Sequence, residues 1–149
     1  MTLQDYMQLA IVQAGLAQAS DEVPVGALIV SPDEKILSKA FNQCIALNDP
    51  TAHAEIIAIR AACKLINNYR LNGCTLITTL EPCLMCASAI SAARISRVVF
   101  GAHDSIRGAC GSVIDVNFDT PSNHRFEVIG GVGSETCKVI LDNFFSEKR

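Results

Sequence analysis

The chain has 149 residues, half of them hydrophobic, and carries a formal net charge of −3 at pH 7. This length predicts one domain, residues 1–149, that can bury a core without disulfides. The acidic balance argues against a domain with an overall basic surface, and no apolar run approaches the roughly 18 residues of a membrane span. The first residues also lack the pattern of a secretory signal, so we expect a soluble, cytoplasmic protein without membrane contact.

The first 66 residues predict two helices around a β-hairpin. Apolar residues at helical spacing predict an amphipathic helix over residues 2–19. A short apolar run predicts a strand over residues 25–30, and turn residues 31–34 lead into a second strand over residues 35–41. Capping residues before position 52 predict a helix over residues 52–66, with His53 and Glu55 in its first turn.

The second half of the chain alternates strands with helices. We predict a strand over residues 74–80, a helix over 84–94, a strand over 97–102, a strand over 126–129 and a final helix over 134–145. Residues 104–123 are expected to be mostly irregular, and a loop of this length in a compact domain is often functional. The alternation predicts an α/β layer sandwich with a mainly parallel or mixed sheet, and ligands bind such folds at one end of the sheet.

Cys83 and Cys86 are three residues apart and follow Pro82. If they open a helix, both sulfurs face one ion, and Pro82 fits the first turn of that helix. The exposed N–H groups of a helix start also favour thiolates over thiols. The pair therefore predicts two anionic metal ligands.

His53 precedes Glu55 by two positions, which is roughly 200° around a regular helix. This separation is poor geometry for holding one ion with both side chains. We therefore assign His53 as the third ligand and leave Glu55 unligated beside the metal. Three ligands of the His/Cys/Cys type predict a zinc site with an open fourth position for water, which is typical of a catalytic site.

Two structural interpretations of the cysteine pair stay open at this point: a redox pair, or half of a structural zinc ribbon. A structural zinc site needs a fourth ligand, and the other five cysteines contain no second close pair. Seven cysteines are an odd number, which favours reduced thiols with a metal site over disulfide bridges. The zinc-dependent nucleobase deaminases carry the same pattern, with zinc-bound hydroxide as nucleophile and a glutamate as proton shuttle.

The sequence closely resembles the bacterial tRNA-specific adenosine deaminases of the cytidine-deaminase-like superfamily over nearly the whole chain. The zinc motifs are shared with cytosine and guanine deaminases, whereas the segments after residue 97 are more specific. Besides those motifs the resemblance rests on these segments: Val23–Ala27, Asp49–Glu55, Asn68–Leu71, Arg97–Ala102, Gly108-Ala109, Gly111-Ser112, Asn123–Arg125 and Phe144-Phe145.

The resemblance implies a three-layer α/β/α sandwich with a five-stranded mixed sheet, one Zn²⁺ per subunit and a homodimer. It also implies that the wobble adenosine of a tRNA anticodon stem-loop is converted to inosine. Zinc-bound hydroxide would attack C6 of adenine, and Glu55 would carry protons from water to N1 and then to the departing ammonia. An anticodon-loop base can leave its stack at a cost of only a few kcal/mol.

The resemblance further implies which side chains contact the RNA. Asn42 would contact the flipped base, with a turn residue at a strand end as the alternative. Asp104 would lie near the ribose, with a loop-capping aspartate as the alternative. One of Phe144 and Phe145 would be exposed for base stacking, although packing or a dimer contact is the commoner use of such residues. We do not assign His103 or His124 as ligands.

The distribution of charged residues does not decide which surface would bind RNA. Residues 60–125 carry a net charge of +3, which fits either a basic surface near the metal or ordinary solvated charges. Candidate phosphate contacts are Arg94, Arg97, Arg107 and Arg125. The chain ends at Glu147-Lys148-Arg149, where related enzymes often continue with a basic tail, and residues 43–47 lack the basic residues common in that loop.

Two other functions compete with this prediction. The first is a deaminase of a free base or nucleoside such as guanine or cytosine, which would use the same zinc core without an RNA loop. The second is a catalytically silent subunit that uses zinc structurally. A silent subunit could dispense with the proton shuttle, so the presence of Glu55 favours an enzyme.

Overall fold

The computed structural model describes residues 1–148 of the chain. Its strands are β1 (Gly26–Val30), β2 (Ile36–Phe41), β3 (Thr75–Leu80), β4 (Arg97–Ala102) and β5 (Glu127–Gly130). Its helices are α1 (Leu3–Ala19), α2 (Ala54–Ile66), α3 (Leu84–Ala92), α4 (Val116–Asp119) and α5 (Ser134–Glu147).

The five strands form one mixed sheet in the order β2-β1-β3-β4-β5. β1 pairs antiparallel with both β2 and β3, while β3, β4 and β5 are parallel. The parallel strands need crossover connections, and α3 provides the crossover from β3 to β4. The predicted α/β fold with a five-stranded mixed sheet is confirmed.

Helices cover both faces of the sheet. Gly26 faces α1 so closely that a Cβ atom there would collide with backbone atoms of Ala10 and Ala14. On the opposite face of the hairpin, the Ser38 hydroxyl donates a hydrogen bond to the Ala58 carbonyl of α2, at 2.8 Å. α5 packs on β4 and β3, and α3 packs against α2. The core between these layers includes Met7, Leu28, Ile77, Ile90, Val99 and Phe100, all almost fully buried.

Several helix boundaries differ from the prediction. α2 begins at Ala54, so His53 is its N-cap and not a residue of its first turn. α3 begins at Leu84 as predicted, but Cys83 is its N-cap, and Pro82 therefore lies outside the helix and not in its first turn. α3 also ends before residue 94, because Arg94 adopts a left-handed conformation with a φ of 62°. A short helix that was not predicted, α4, lies within the expected irregular segment.

None of the helices in residues 1–148 combines the length and the hydrophobicity that a bilayer span requires.

Candidate active site

The first residues of two helices, α2 and α3, lie side by side at the end of the sheet where β3 ends. His53 is the N-cap of α2, and Cys83 is the N-cap of α3 directly after β3. Neither N-cap side chain caps its own helix, so both side chains are free to point into the space between the helices. Cys86, one turn into α3, is fully buried beside them.

The three side chains have the geometry of a zinc site. His53 Nδ1 lies 3.7 Å from Cys83 Sγ and 3.4 Å from Cys86 Sγ. The three atoms all lie within 4.8 Å of one another. Tetrahedral zinc with its usual bond lengths holds sulfur and nitrogen ligands about 3.5–3.8 Å apart. The two sulfurs and one nitrogen therefore fit a zinc ion with one coordination position left for water or substrate.

The two cysteine thiols have pKa values shifted in opposite directions. The hydrogen bond from Cys86 lowers the pKa of Cys83 to about 3, against the opposing effect of burial. The same contact, together with burial, raises the pKa of Cys86. This contact therefore favours a thiolate at Cys83, and a bound divalent cation would favour thiolates at both positions.

Glu55 lies beside this triangle and outside it. Its side chain is buried, with 4% of the residue exposed, and it lines the same cavity as His53 and Cys83. Burial raises the pKa of the Glu55 carboxyl above its ordinary value. A buried carboxyl with a raised pKa next to a metal is suited to accept and return protons.

The cavity in front of these residues has an empty volume of about 1750 Å³, including open solvent. It opens between residues that follow β2 and β4 and the exposed side of α5. Outside the metal-binding residues, its wall includes Asn42, Asp104, Arg107, Lys138, Leu141 and Phe145. The cavity therefore joins a buried reactive end to an open mouth that carries both apolar and charged side chains.

A family model described as "Cytidine and deoxycytidylate deaminase zinc-binding region" matches residues 1–102. The chain belongs to this deaminase family. Among its relatives, a tRNA-specific adenosine deaminase of Haemophilus influenzae is 48% identical over 143 residues, which cover 96% of this chain and 83% of that protein. The predicted resemblance to the bacterial tRNA-specific adenosine deaminases is confirmed, and zinc is the cofactor of the family.

Solved structures agree with this assignment. A structure from studies of "A-to-I Editing by tRNA:A34 Deaminases at the Wobble Position of Transfer RNA" superposes with a TM-score of 0.88 and 43% identity, covering 92% of this chain and 99% of that chain. A guanine deaminase of Bacillus subtilis superposes with a TM-score of 0.68 and 34% identity, covering 85% and 83% of the two chains. The deaminase fold thus accommodates more than one substrate.

Asn42 is oriented by the helix that carries the deaminase motif. Its Oδ1 accepts a hydrogen bond of 2.7 Å from the backbone N–H of Ala54, the first residue of α2. This contact satisfies a donor at the helix start that His53 leaves uncapped. The helix start therefore fixes the orientation of the Asn42 amide, and the NH₂ group is available to donate to a ligand in the cavity.

Asp104 both caps its own loop and faces the cavity. Its Oδ1 accepts hydrogen bonds from the backbone N–H groups of Ile106 and Arg107, each at 3.0 Å. The loop-capping alternative is therefore present in the structure. Since the capping uses one oxygen and the residue also lines the cavity, a substrate contact through the other oxygen stays a prediction.

The two adjacent phenylalanines of α5 have different surroundings. Phe144 is 6% exposed and is buried beneath the helix, whereas Phe145 is 44% exposed and lines the cavity. Their rings contact each other edge to face, with centroids 5.4 Å apart. Base stacking therefore stays a prediction for Phe145 alone, and Phe144 supports it from below.

The four candidate arginines have different surroundings. Arg107 lines the active-site cavity, whereas Arg97 lines a second, smaller cavity at the opposite end of the strands. Arg94 donates to Asn123 Oδ1, and Arg125 donates to the Asn117 carbonyl. Arg107 is thus the one of these four that lines the active-site cavity, and phosphate contacts through the other three stay a prediction.

The two histidines outside the metal site have structural contacts. His124 Nε2 lies 2.7 Å from the carbonyl oxygen of Ile95 and ties the loop before β5 to the start of β4. His103 is mostly exposed, and its ring contacts Phe100 edge to face at 4.9 Å. Neither belongs to the metal-binding triangle.

Sequence reasoning did not identify Glu81, a buried carboxylate between β3 and Cys83. Burial opposes its ionisation, but hydrogen bonds donated by Ser112 and by the backbone N–H groups of Asp104 and Cys110 lower the pKa of Glu81. The signal in the sequence is an acidic residue at the end of an apolar strand, which has no obvious reason to be buried.

Proposed function

We propose that this enzyme hydrolyses the wobble adenosine of a tRNA anticodon loop to inosine and ammonia. The observation that carries the chemistry is the His53, Cys83 and Cys86 triangle with buried, unligated Glu55 in the same cavity. The choice of substrate is supported by relatives named as tRNA-specific adenosine deaminases, which match nearly the whole chain at 48% and 44% identity.

The chemistry that zinc supplies when bound is the acidification of water, which becomes nucleophilic near neutral pH. Glu55 takes a proton from the attacking water and delivers it to N1 of adenine. It then takes the second proton of that water from the hydroxyl newly bonded to C6 and delivers it to the amino group. The C6–N bond breaks, ammonia leaves, and Glu55 ends the cycle ionised, as it began. Burial favours this role because it keeps the proton affinity of Glu55 above that of an exposed carboxylate.

Asn42 can orient a base in the cavity. Ala54 holds its amide oxygen, which leaves the NH₂ group to donate a hydrogen bond to the base. The ring nitrogens of adenine accept hydrogen bonds, whereas the exocyclic amine donates them. We assign Asn42 to a ring nitrogen of the base and thus to orienting C6 toward the metal.

The mouth of the cavity suits a base that remains attached to an RNA chain. Phe145 offers an exposed ring for a neighbouring base, and Arg107 and Lys138 offer positive charge for phosphates. Asp104 can accept a hydrogen bond from a 2′-hydroxyl through its uncapped oxygen. These contacts are proposals for an anticodon stem-loop as the bound partner.

We also propose that residues 1–149 act as one catalytic domain and that two copies form a homodimer in the cytoplasm. One contiguous core, reaching from α1 to α5, supports a single domain. The exposed side of α3 supports self-association because it presents Leu84 and the small residues Ser88 and Ala92. All seven cysteines are free thiols, which suits the reducing cytoplasm.

The dimer proposal can be tested by placing a charge on the exposed side of α3. We expect Ser88→Arg to change the mass measured by light scattering from a dimer to a monomer, because a buried unpaired charge opposes association. Val12→Arg, at a 60% exposed position of α1, is the control and should remain dimeric. A dimeric Ser88→Arg protein would remove α3 from the interface.

The function is tested by incubating purified, zinc-loaded protein with an anticodon stem-loop that carries a wobble adenosine. Free adenosine, guanine and cytidine are incubated in parallel, and both inosine and released ammonia are measured. We expect inosine in the stem-loop alone, and no product from Glu55→Ala although that variant keeps its zinc. Turnover of a free base with none on the stem-loop would contradict the proposal.

That last outcome would favour deamination of a free purine. The specific observation behind this second candidate is the 34% identity to the guanine deaminase of Bacillus subtilis, over 85% of this chain. Guanine carries a carbonyl at C6 and its amino group at C2, so it must enter the cavity in a different orientation from adenine. The parallel incubation with guanine therefore separates the two functions directly.

A further inference from the structure

Glu81 has no part in the chemistry proposed above, yet its side chain is completely buried, with 0% of it exposed. We propose that Glu81 is a positioning residue that holds the 103–115 loop in place as the outer wall of the substrate cavity. This inference rests on the proposed function, since it assigns Glu81 to binding of the same RNA substrate. It adds a residue that contacts neither metal nor substrate.

Both oxygens of Glu81 accept hydrogen bonds from the 103–115 loop. Oε1 accepts from the backbone N–H of Asp104 at 3.1 Å and from the Ser112 hydroxyl. Oε2 accepts from the backbone N–H groups of Cys110 at 3.0 Å and Ser112 at 3.1 Å. Four donors from three positions of one loop thus converge on a single carboxylate.

The loop passes directly over this carboxylate. A Cβ atom at Gly108 would lie 2.5 Å from Glu81 Cδ and 2.6 Å from Glu81 Oε1. Any side chain at position 108 would therefore displace either the loop or the carboxylate. The glycine and the glutamate form one close-packed unit.

The same unit connects the loop to the metal-binding turn. The backbone N–H of Ala109 donates to the carbonyl of Pro82 at 2.9 Å, and the backbone N–H of Glu81 donates to the carbonyl of Ala102 at 2.9 Å. The two residues before Cys83 are thus bonded to both ends of the loop segment that lines the cavity. Residues Asp104–Arg107, the cavity-lining part, lie between these attachments.

The hydrogen bond from the Ala109 N–H to the Pro82 carbonyl does not involve the Glu81 side chain, and neither do the three metal ligands. Weakening the carboxylate contacts should therefore release the loop without releasing the metal. The expected result is weaker substrate binding with an intact zinc centre, because the loop lines the cavity while Glu55 and the three ligands stay in place.

The test is the variant Glu81→Gln, in which one oxygen becomes an NH₂ group that faces backbone donors. We expect the KM for the anticodon stem-loop to rise about 10-fold, as for a lost set of buried hydrogen bonds, while kcat and zinc content stay within about twofold of wild type. Hydrogen exchange at the amides of residues 104, 110 and 112 should be at least about 10-fold faster.

Two further variants make the test specific. Ser112→Ala removes one hydrogen-bond donor to Glu81 and introduces no new one, so we expect the KM and the exchange rates to rise about threefold. If Glu81→Gln does not fold, Ser112→Ala tests the inference in its place. Asn117→Ala is the control, because Asn117 is likewise buried and its side chain bonds the backbone of Phe126, at 3.0 Å and 3.1 Å, outside the residues that line the cavity. It should speed exchange at residue 126 and leave the KM within about twofold.

The outcomes separate this inference from the proposed function. An unchanged KM and unchanged exchange in Glu81→Gln, with wild-type protein active on the stem-loop, would overturn the positioning role. Loss of zinc from Glu81→Gln would also overturn it, since the residue would then act through the metal. If wild-type protein does not edit the stem-loop, the proposed function fails, and exchange alone decides whether Glu81 holds the loop.

Discussion

The two halves of the active-site cavity are built in different ways. The metal-binding half consists of His53, Glu55, Cys83 and Cys86, which are carried by two helix starts and are largely buried. The outer half, residues 104–107 together with the cavity side of α5, is mostly exposed and carries charges of both signs. The metal-binding half lies within the zinc-binding region shared by the deaminase family, and we expect the outer half to distinguish substrates.

The largest effect is expected in the metal-binding half when a ligand is removed. Cys86→Ala leaves two ligands for zinc, so we expect zinc content to fall below about one tenth per chain and turnover to fall below detection. Elemental analysis and inosine formation measure the two results. Cys137→Ala, which removes another buried cysteine outside the triangle, is the control and should keep its zinc.

Removing the proton carrier separates chemistry from metal binding within the same half. Glu55→Gln keeps the shape of the side chain, so we expect full zinc content and a kcat about 10³-fold lower. Single-turnover inosine formation on the stem-loop is the measurement. A zinc-loaded Glu55→Gln protein with wild-type kcat would show that another group moves the protons.

Asn42 lies where the two halves meet, and two substitutions divide its roles. Asn42→Asp keeps an oxygen for the Ala54 N–H but loses the NH₂ group, so we expect wild-type thermal stability and a kcat/KM about 10- to 100-fold lower. Asn42→Ala loses both contacts and should also lose about 1 kcal/mol of folding stability, as for a lost helix cap. Equal kcat/KM in Asn42→Asp and wild type would confine Asn42 to capping α2.

The smallest effect is expected at the rim of the outer half, where the two phenylalanines provide a matched pair. Phe145→Ala should weaken binding of the stem-loop about 10-fold, the loss of one stacked base, and leave the melting temperature unchanged. Phe144→Ala should instead lower the free energy of unfolding by about 3 kcal/mol, because it empties a buried site. Fluorescence anisotropy and thermal unfolding distinguish the two, and equal binding by Phe145→Ala and wild type would remove the stacking contact.

The fold and the metal-binding half follow closely from the sequence. Strand positions were predicted to within about one residue, because each strand is a short run of apolar and β-branched residues between turn residues. The three residues proposed as zinc ligands could be chosen because they fall in two short motifs, and the structure brings their ligand atoms within 4.8 Å of one another. The ends of α2 and α3 were less accurate, since His53 and Cys83 act as N-caps and Arg94 adopts a left-handed conformation.

The outer half could not be derived in this way. The net charge of residues 60–125 does not decide whether a basic surface lies near the metal. In the structure Arg107 lines the active-site cavity, whereas Arg97 lies at the opposite end of the strands. Likewise, adjacent positions such as Phe144 and Phe145 are equivalent in sequence, and only the packing of α5 determines which ring is buried.

The sequence by itself determined the elements and the α/β class, because these follow from local periodicity, and it nominated the zinc ligands and a proton carrier, because these residues fall in two short motifs, His53–Glu55 and Pro82–Cys86. Only the tertiary structure decided how Asn42 is oriented, by a partner 12 residues away, and what Glu81 holds, by partners 23 to 31 residues away. Such contacts depend on how the sheet and its loops pack in space, and hydrogen-bond partners at these separations leave no periodic pattern in the chain.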